Sequence, residues 1–178
     1  MRAWKLDLWI ALAALLVGAL TASAAIYQSK VFADQLSATV WPYISFVTTI
    51  SNNGTFEMRL ENDGAGPAVI EGAQLMLDGT PVPKATSVLS TLGYRPSRGS
   101  SSTTGDVTSD EVIRPGDSKV VLSIHDPAFI RIVRILQHRA KIRLYYCSML
   151  NHCWVATSAG GRPQDISEKA IPSSSIRW

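Results

Sequence analysis

Two cysteines near the C-terminus are the residues best suited to chemistry in this sequence. Cys147 and Cys153 bracket a short segment that also contains Met149 and His152. Thiolate, thioether and imidazole groups are ligands of copper, so a copper or small-ligand carrier is one interpretation of this loop. Strand-like sequences flank the loop, however, and a hairpin would set the two cysteines opposite each other at disulfide distance. We favour a Cys147–Cys153 disulfide with no metal, because the N-terminus indicates export to an oxidising compartment.

The histidines offer little for catalysis. His125, His138 and His152 lack companions with the spacing of a known catalytic motif. His125 precedes Asp126, but adjacent side chains on a strand point apart. The sequence holds no G-x-S-x-G nucleophile motif, no H-E-x-x-H motif and no phosphate-binding glycine loop. We therefore predict no catalytic residue and no cofactor, and keep a small hydrolase only as a second alternative.

Basic residues cluster on one predicted helix over 127–138. Asp126 and Pro127 are typical of a helix start, with Asp as the N-cap and Pro in the first helical position. Four apolar residues follow at i, i+3, i+4 and i+7 and are expected to be buried: Phe129, Ile132, Val133 and Leu136. Arg131, Arg134 and His138 fall on the opposite side. We predict that they bind an acidic partner or lipid headgroups, the alternative being an ordinary solvated face.

The N-terminal segment 1–30 is predicted to be a membrane anchor. Residues 8–27 carry no charge and would span about 30 Å as a helix, the thickness of a hydrocarbon core. Arg2 and Lys5 precede this segment, which places the N-terminus in the cytoplasm by the positive-inside rule. Ala22-Ser23-Ala24 also fits a signal-peptide cleavage site. We favour the uncleaved anchor, because the apolar stretch exceeds the usual length of about 7–15 residues in a signal peptide.

The segment 37–159 is predicted to form an antiparallel all-β sandwich. Asn53-Gly54 and Asp78-Gly79 are hairpin-turn pairs, and residues 55–62 alternate between apolar and polar side chains. About seven short strands with one late helix are expected. The low-complexity segment 94–110 is predicted to be an exposed loop.

Composition limits the remaining interpretations. The chain has 178 residues with 17 Lys+Arg against 14 Asp+Glu, a mild excess that does not favour nucleic acid. That length fits one domain with an appendage. The tail over 160–178 is interrupted by Gly, Pro and Ser residues and is predicted to be extended or disordered.

One stretch of turn residues carries a resemblance. The segment 60–68 contains N-D-G-A-G-P-A and follows the residues V-W-P-Y at 40–43. This pattern is similar to a group of uncharacterised bacterial envelope proteins that have one N-terminal membrane segment. The N-x-G turn and the later I-x-P-G-D-S over 113–118 also resemble immunoglobulin-like modules. From the residues themselves we expect Gly64 and Gly66 to adopt positive φ angles and Pro67 to fix the exit of the turn.

The favoured function is therefore a non-catalytic accessory protein. The resemblance implies an immunoglobulin-like domain outside the cytoplasm of a bacterium, and the sequence predicts a single-pass anchor in the inner membrane. Its expected partner is another membrane or envelope protein. The lack of an active-site motif in the sequence favours an interaction role over an enzymatic one.

Overall fold

A computed structural model describes residues 2–105 and 107–172, which divide into two compact units between Thr39 and Val40. The first unit is one helix, α1 (Arg2–Thr39). Within the stretch from Asp7 to Thr39, 18 consecutive residues reach a mean hydropathy of 2.1, and by length and composition the helix could cross a membrane. The predicted N-terminal apolar helix is confirmed, and it continues beyond residue 30 as a helix of more polar composition.

The second unit consists of antiparallel strands with two short helices. The strands are β1 (Ile44–Ile50), β2 (Thr55–Asn62), β3 (Ala68–Leu77), β4 (Thr80–Val82), β5 (Ser101–Thr104), β6 (Val112–Ile113), β7 (Ser118–His125), β8 (Ala140–Cys147), β9 (Cys153–Thr157) and β10 (Gln164–Ile166). The helices are α2 (Ala85–Thr91) and α3 (Pro127–Arg139), and a 3-10 turn covers Glu168–Ala170.

These strands form two sheets. One has the order β1-β2-β7-β5, and the other has the order β10-β9-β8-β3-β4, with β6 paired to β3. Every pairing described is antiparallel. The predicted antiparallel β architecture with one late helix is confirmed at this level.

Ten strands lie in the described residues, more than the predicted seven or so, because several short edge strands lack an apolar signal. β5 lies in the segment 94–110, which was predicted to be an exposed loop, and it pairs with β7 although all four of its side chains are exposed. Val107, in the same segment, is buried. Likewise β10 and the 3-10 turn lie in the tail predicted as extended or disordered, whose residues 173–178 are outside the described chain.

Both sheets contribute to one hydrophobic core. The predicted alternation in β2 is confirmed, because Phe56, Met58 and Leu60 are buried and the residues between them are only half buried. The opposite sheet contributes Ile70, Leu144 and Tyr146 among others. Alternating side chains of facing sheets fill a core in this way in β-sandwich architectures.

Candidate functional site

Asp126 fixes the start of α3. Its carboxylate accepts a hydrogen bond from the backbone N–H of Ala128 at 2.8 Å, which confirms the predicted N-cap. The same buried carboxylate accepts bonds from the hydroxyl and backbone N–H of Ser97, at 2.5 and 3.0 Å, and from the Tyr94 hydroxyl at 2.8 Å. One side chain thus ties α3 to the segment that follows α2.

The pKa values of Asp126 and Tyr94 are shifted in opposite directions. The bonds from Ser97, with those from Tyr94 and Ala128, hold the pKa of Asp126 well below its usual range, against the opposing effect of burial. Burial, together with the neighbouring carboxylate, raises the pKa of Tyr94 to about 12. Asp126 is therefore charged and Tyr94 neutral near pH 7, the states that this network requires.

The basic face of α3 (Arg131, Arg134 and His138) is exposed to solvent. None of the three forms an ion pair with another described residue. Arg139, at the end of the helix, differs because its guanidinium forms a bidentate ion pair with Asp78. The opposite face of α3 is directed inward, with Phe129 and Val133 buried and Ile132 and Leu136 partly buried. Within the described part of the chain, these three basic side chains therefore lie together without an acidic partner.

The cysteine loop is a tight hairpin. Cys147 and Cys153 face each other across β8 and β9, with their sulfur atoms 2.10 Å apart and their Cα atoms 4.0 Å apart. Bonded sulfurs are not available as thiolate ligands. Met149 and Leu150 at the tip are 64% and 42% exposed. The described residues contain no group of three or more His, Cys, Asp or Glu side chains placed to hold a metal.

The histidines lie apart. Nδ1 of His125 contacts the Thr55 hydroxyl at 2.9 Å, whereas the adjacent Asp126 carboxylate is directed to Ser97. His152 stacks on Trp154. The Ser97–Asp126 pair therefore lacks a histidine partner among the described residues, and what the pair does is position α3.

The N-D-G-A-G-P-A turn is held by Asn62. This buried side chain donates to the carbonyls of Gly66 and Ile113, both at 2.9 Å, and its Oδ1 accepts from the N–H groups of Gly64 and Tyr43. The expectation of positive φ at Gly64 and Gly66 is wrong, since neither residue adopts one. Both glycines are required because the backbone of residues 40–43 passes so close that a Cβ would overlap it.

A cavity of about 700 Å³ lies between the two sheets. Its walls come from β1, β2, β7 and β5 on one side, from β3 and β8 on the other, and from α2 and α3. Most of the lining is apolar, including Phe46, Met58, Leu75, Leu122, Leu136 and Ile142. The polar part contains Thr48, Ser102 and Gln137, with His138 and Lys141 as the ionisable members. The volume is within the range of about 300–1,000 Å³ that small-molecule sites occupy.

Comparison of the chain with protein-family models, with curated proteins and with solved structures finds no match. The resemblance to envelope proteins therefore stays a prediction, and the site is argued from its own residues.

Sequence reasoning located Asp126, the basic face and the cysteine pair, because each has a local signal. It missed the cavity, whose walls come from eight elements that are distant in the chain. It also missed the role of Ser97, which lies in low-complexity sequence and contacts a residue 29 positions away.

Proposed function

We propose that this protein is a non-catalytic accessory protein of a bacterial envelope, anchored by α1 and binding another envelope protein through the basic face of α3. The observation that carries the proposal is the group Arg131, Arg134 and His138, exposed and without ion pairs to other described residues. Exposed ion pairs contribute only about 0–1 kcal/mol each, so a basic surface binds tightly only when several charges act together. A complementary acidic surface would also accelerate association and fix its orientation.

The apolar helix supports the location. By length and hydropathy α1 suits a single membrane crossing, and Arg2 and Lys5 before it favour a cytoplasmic N-terminus. The cysteine pair at disulfide distance is compatible with an oxidising compartment such as the periplasm. Carbonate-washed membranes should retain the chain at its full 19.3 kDa, whereas a mature N-terminus at Ala25 would indicate a cleaved signal peptide.

The two antiparallel sheets support an immunoglobulin-like domain as the extracytoplasmic part. Such modules commonly serve adhesion and assembly, and it is only the similarity of fold that links this chain to those roles. The copper-carrier alternative requires reduced cysteines, and titration of free thiols in the native protein distinguishes it from the interaction role.

Charge reversal tests the partner-binding role. The full-length chain carrying Arg131→Glu and Arg134→Glu should fold normally but lose most of a stoichiometric partner that the wild type recovers from detergent-solubilised membranes at low salt. Raising the salt should weaken recovery by the wild type in the same way. The double variant Arg114→Glu/Arg162→Glu is the matched control, because both residues are exposed and the change in net charge is identical. Equal recovery by both double variants would refute the assignment.

A further inference from the structure

β1 is an edge strand with one free side. Within its sheet it pairs with β2 alone. Just before the strand begins, the N–H of Asp63 donates to the carbonyl of Tyr43 at 2.8 Å. Successive residues of an antiparallel strand direct their backbone groups alternately to the partner strand and away from it. The N–H and C=O groups of Phe46, Thr48 and Ile50 therefore point away from β2.

Tyr146 covers the first part of this free side. Its hydroxyl accepts a hydrogen bond from the N–H of Ile44 at 3.4 Å. The N–H groups of Phe46, Thr48 and Ile50 have no acceptor among the described residues. Thr48 is exposed and Ile50 is 49% exposed, so another strand can reach this side. Three alternate residues thus offer unpaired backbone groups, through which an added strand binds the edge of a sheet.

β1 lacks the features that protect sheet edges from pairing. Natural edge strands are commonly short, or are interrupted by charged residues, proline or bulges. β4 and β10 have three residues each and contain Pro81 and Asp165, whereas β6 has two residues and β5 has four. β1 has seven residues without a charge or a proline, and it pairs with β2 without a shift in register. The sequence therefore leaves this edge open to another strand.

The free groups of β1 are complementary to themselves. In an antiparallel pair centred on Thr48, this residue lies opposite Thr48 of a second copy, and Phe46 lies opposite Ile50 of that copy. The backbone groups of these residues then face each other, and each pair exchanges two N–H···O=C bonds. Phe46 also covers the exposed Ile50, a favourable contact between an aromatic and a β-branched residue. A pair centred on Val47 would instead require Ile44, whose N–H is already bonded.

The charges on the outer face of the sheet permit the same pairing. In this register Val47 lies opposite Thr49 of the second copy, and neither residue is charged. On β2, Arg59 lies beside Val47 and Glu57 lies beside Thr49. Each of these rows across the combined sheet therefore ends in a guanidinium group on one copy and a carboxylate on the other. Like charges directly opposite each other would destabilise a sheet, and this register brings none together.

We propose that the chain forms a two-fold dimer in which β1 pairs with β1 of a second copy. The two sheets of order β1-β2-β7-β5 then become one continuous sheet. Pairing of this kind uses the same surface on both copies, so it closes at two copies and leaves no free β1 edge. The surface is separate from the basic face of α3, and the dimer can be tested apart from partner binding.

Substitution on the two-fold axis tests the dimer in the full-length chain in detergent. Thr48→Lys places two ammonium groups opposite each other and should raise the dissociation constant, measured by analytical ultracentrifugation, at least about tenfold. Thr103→Lys makes the same change at an exposed threonine of β5, the opposite edge of the sheet, and should alter the constant less than about twofold. A mixture of Thr48→Lys and Thr48→Glu chains should restore association, because the axis then brings unlike charges together.

Hydrogen exchange resolved to single residues tests the register. Where the wild type is dimeric, the amides of Phe46 and Ile50 should exchange at least about tenfold more slowly than in Thr48→Lys. The amides of Val47 and Thr49, which face β2, should exchange equally in both proteins. A wild type that stayed monomeric, or equal dissociation constants for wild type and Thr48→Lys, would overturn the dimer. A dimer with unchanged exchange at Phe46 and Ile50 would overturn the pairing of β1 and assign association to another surface.

Discussion

The two ends of β1 are built differently. Where β1 begins, the N–H of buried Ile44 donates to the hydroxyl of Tyr146 at 3.4 Å, and Asn62 lies opposite with every polar atom of its side chain bonded. Where β1 ends, Thr48 is exposed and lines the cavity, and Ile50 is 49% exposed. We refer to these regions as the closed end and the open end of the core.

The closed end combines close packing with satisfied polar groups. Tyr146 is fully buried there, and burial raises its pKa to about 12, so that its hydroxyl stays neutral. Tyr146 packs on Trp154 next to the cysteine pair. Buried polar groups stabilise a fold only when they are hydrogen-bonded, and this end meets that condition.

Asp126 is a polar centre at the open end. Asp126 joins α3 to the 94–97 segment, and Phe129 packs on Phe56 and Tyr94, both with ring centroids 5.3 Å away. The difference teaches that a closed end with close packing and satisfied polar groups can hold the two sheets together while the other end leaves apolar surface uncovered.

The largest effect is expected at the closed end, from Gly66→Ala. The new Cβ would overlap the carbonyl of Val40, and because the obstacle is backbone rather than a flexible side chain, the turn must move. We expect a loss of about 3 kcal/mol in the free energy of unfolding, at the upper end for overpacking substitutions. Ala65→Ser, at an exposed neighbouring position, is the control and should change it by less than about 0.5 kcal/mol. A Gly66→Ala protein as stable as the control would show that the turn is loose.

That turn also marks the limit of sequence reasoning. The hairpin pairs Asn53-Gly54 and Asp78-Gly79, the cap at Asp126 and the cysteine spacing were predictable, because short-range chemistry determines each. The reason for Gly64 and Gly66 was not, since it lies in the path of residues 40–43 rather than in the φ angles of the glycines. Edge strand β5 was not predicted, because its exposed serines and threonines show no alternation of apolar and polar side chains. The cavity is bounded by residues of two sheets and two helices, a combination that no single segment encodes.

Removal of the cysteine pair should weaken the closed end less than Gly66→Ala does. The double variant Cys147→Ser/Cys153→Ser is expected to lose about 1–3 kcal/mol of unfolding free energy, because the loop it would open is short. Urea denaturation with and without reductant measures this loss. Reductant should lower the wild type to the level of the variant and leave the variant unchanged, and a wild type insensitive to reductant would argue against the bond.

Acid should weaken the open end through Asp126. Its pKa is lowered on folding, so its contribution to stability is fully present above the ordinary aspartate pKa of about 4 and is lost as the pH falls toward the lower folded value. Asp126→Asn should therefore be less stable than wild type at pH 7, and the difference should shrink between about pH 4 and pH 2. Asp63→Asn, at an exposed site, serves as the control. A difference that stayed constant over this range would show that the charge of Asp126 is not what stabilises α3.

The smallest loss is expected from Leu136→Ala at the open end, and a leucine of the packed core, Leu144, is its reference. Leu144 is 1% exposed within the packed core, and its truncation to Ala should cost about 3 kcal/mol, because it removes contacts and leaves a cavity. Leu136 is only partly buried and already lines the open cavity, so Leu136→Ala enlarges a space that exists and should cost about 1 kcal/mol. Urea denaturation of both variants gives the ratio of their losses in unfolding free energy. Equal losses would mean that the open end is as tightly packed in solution as the core around Leu144, and the distinction between the open and closed ends would fail.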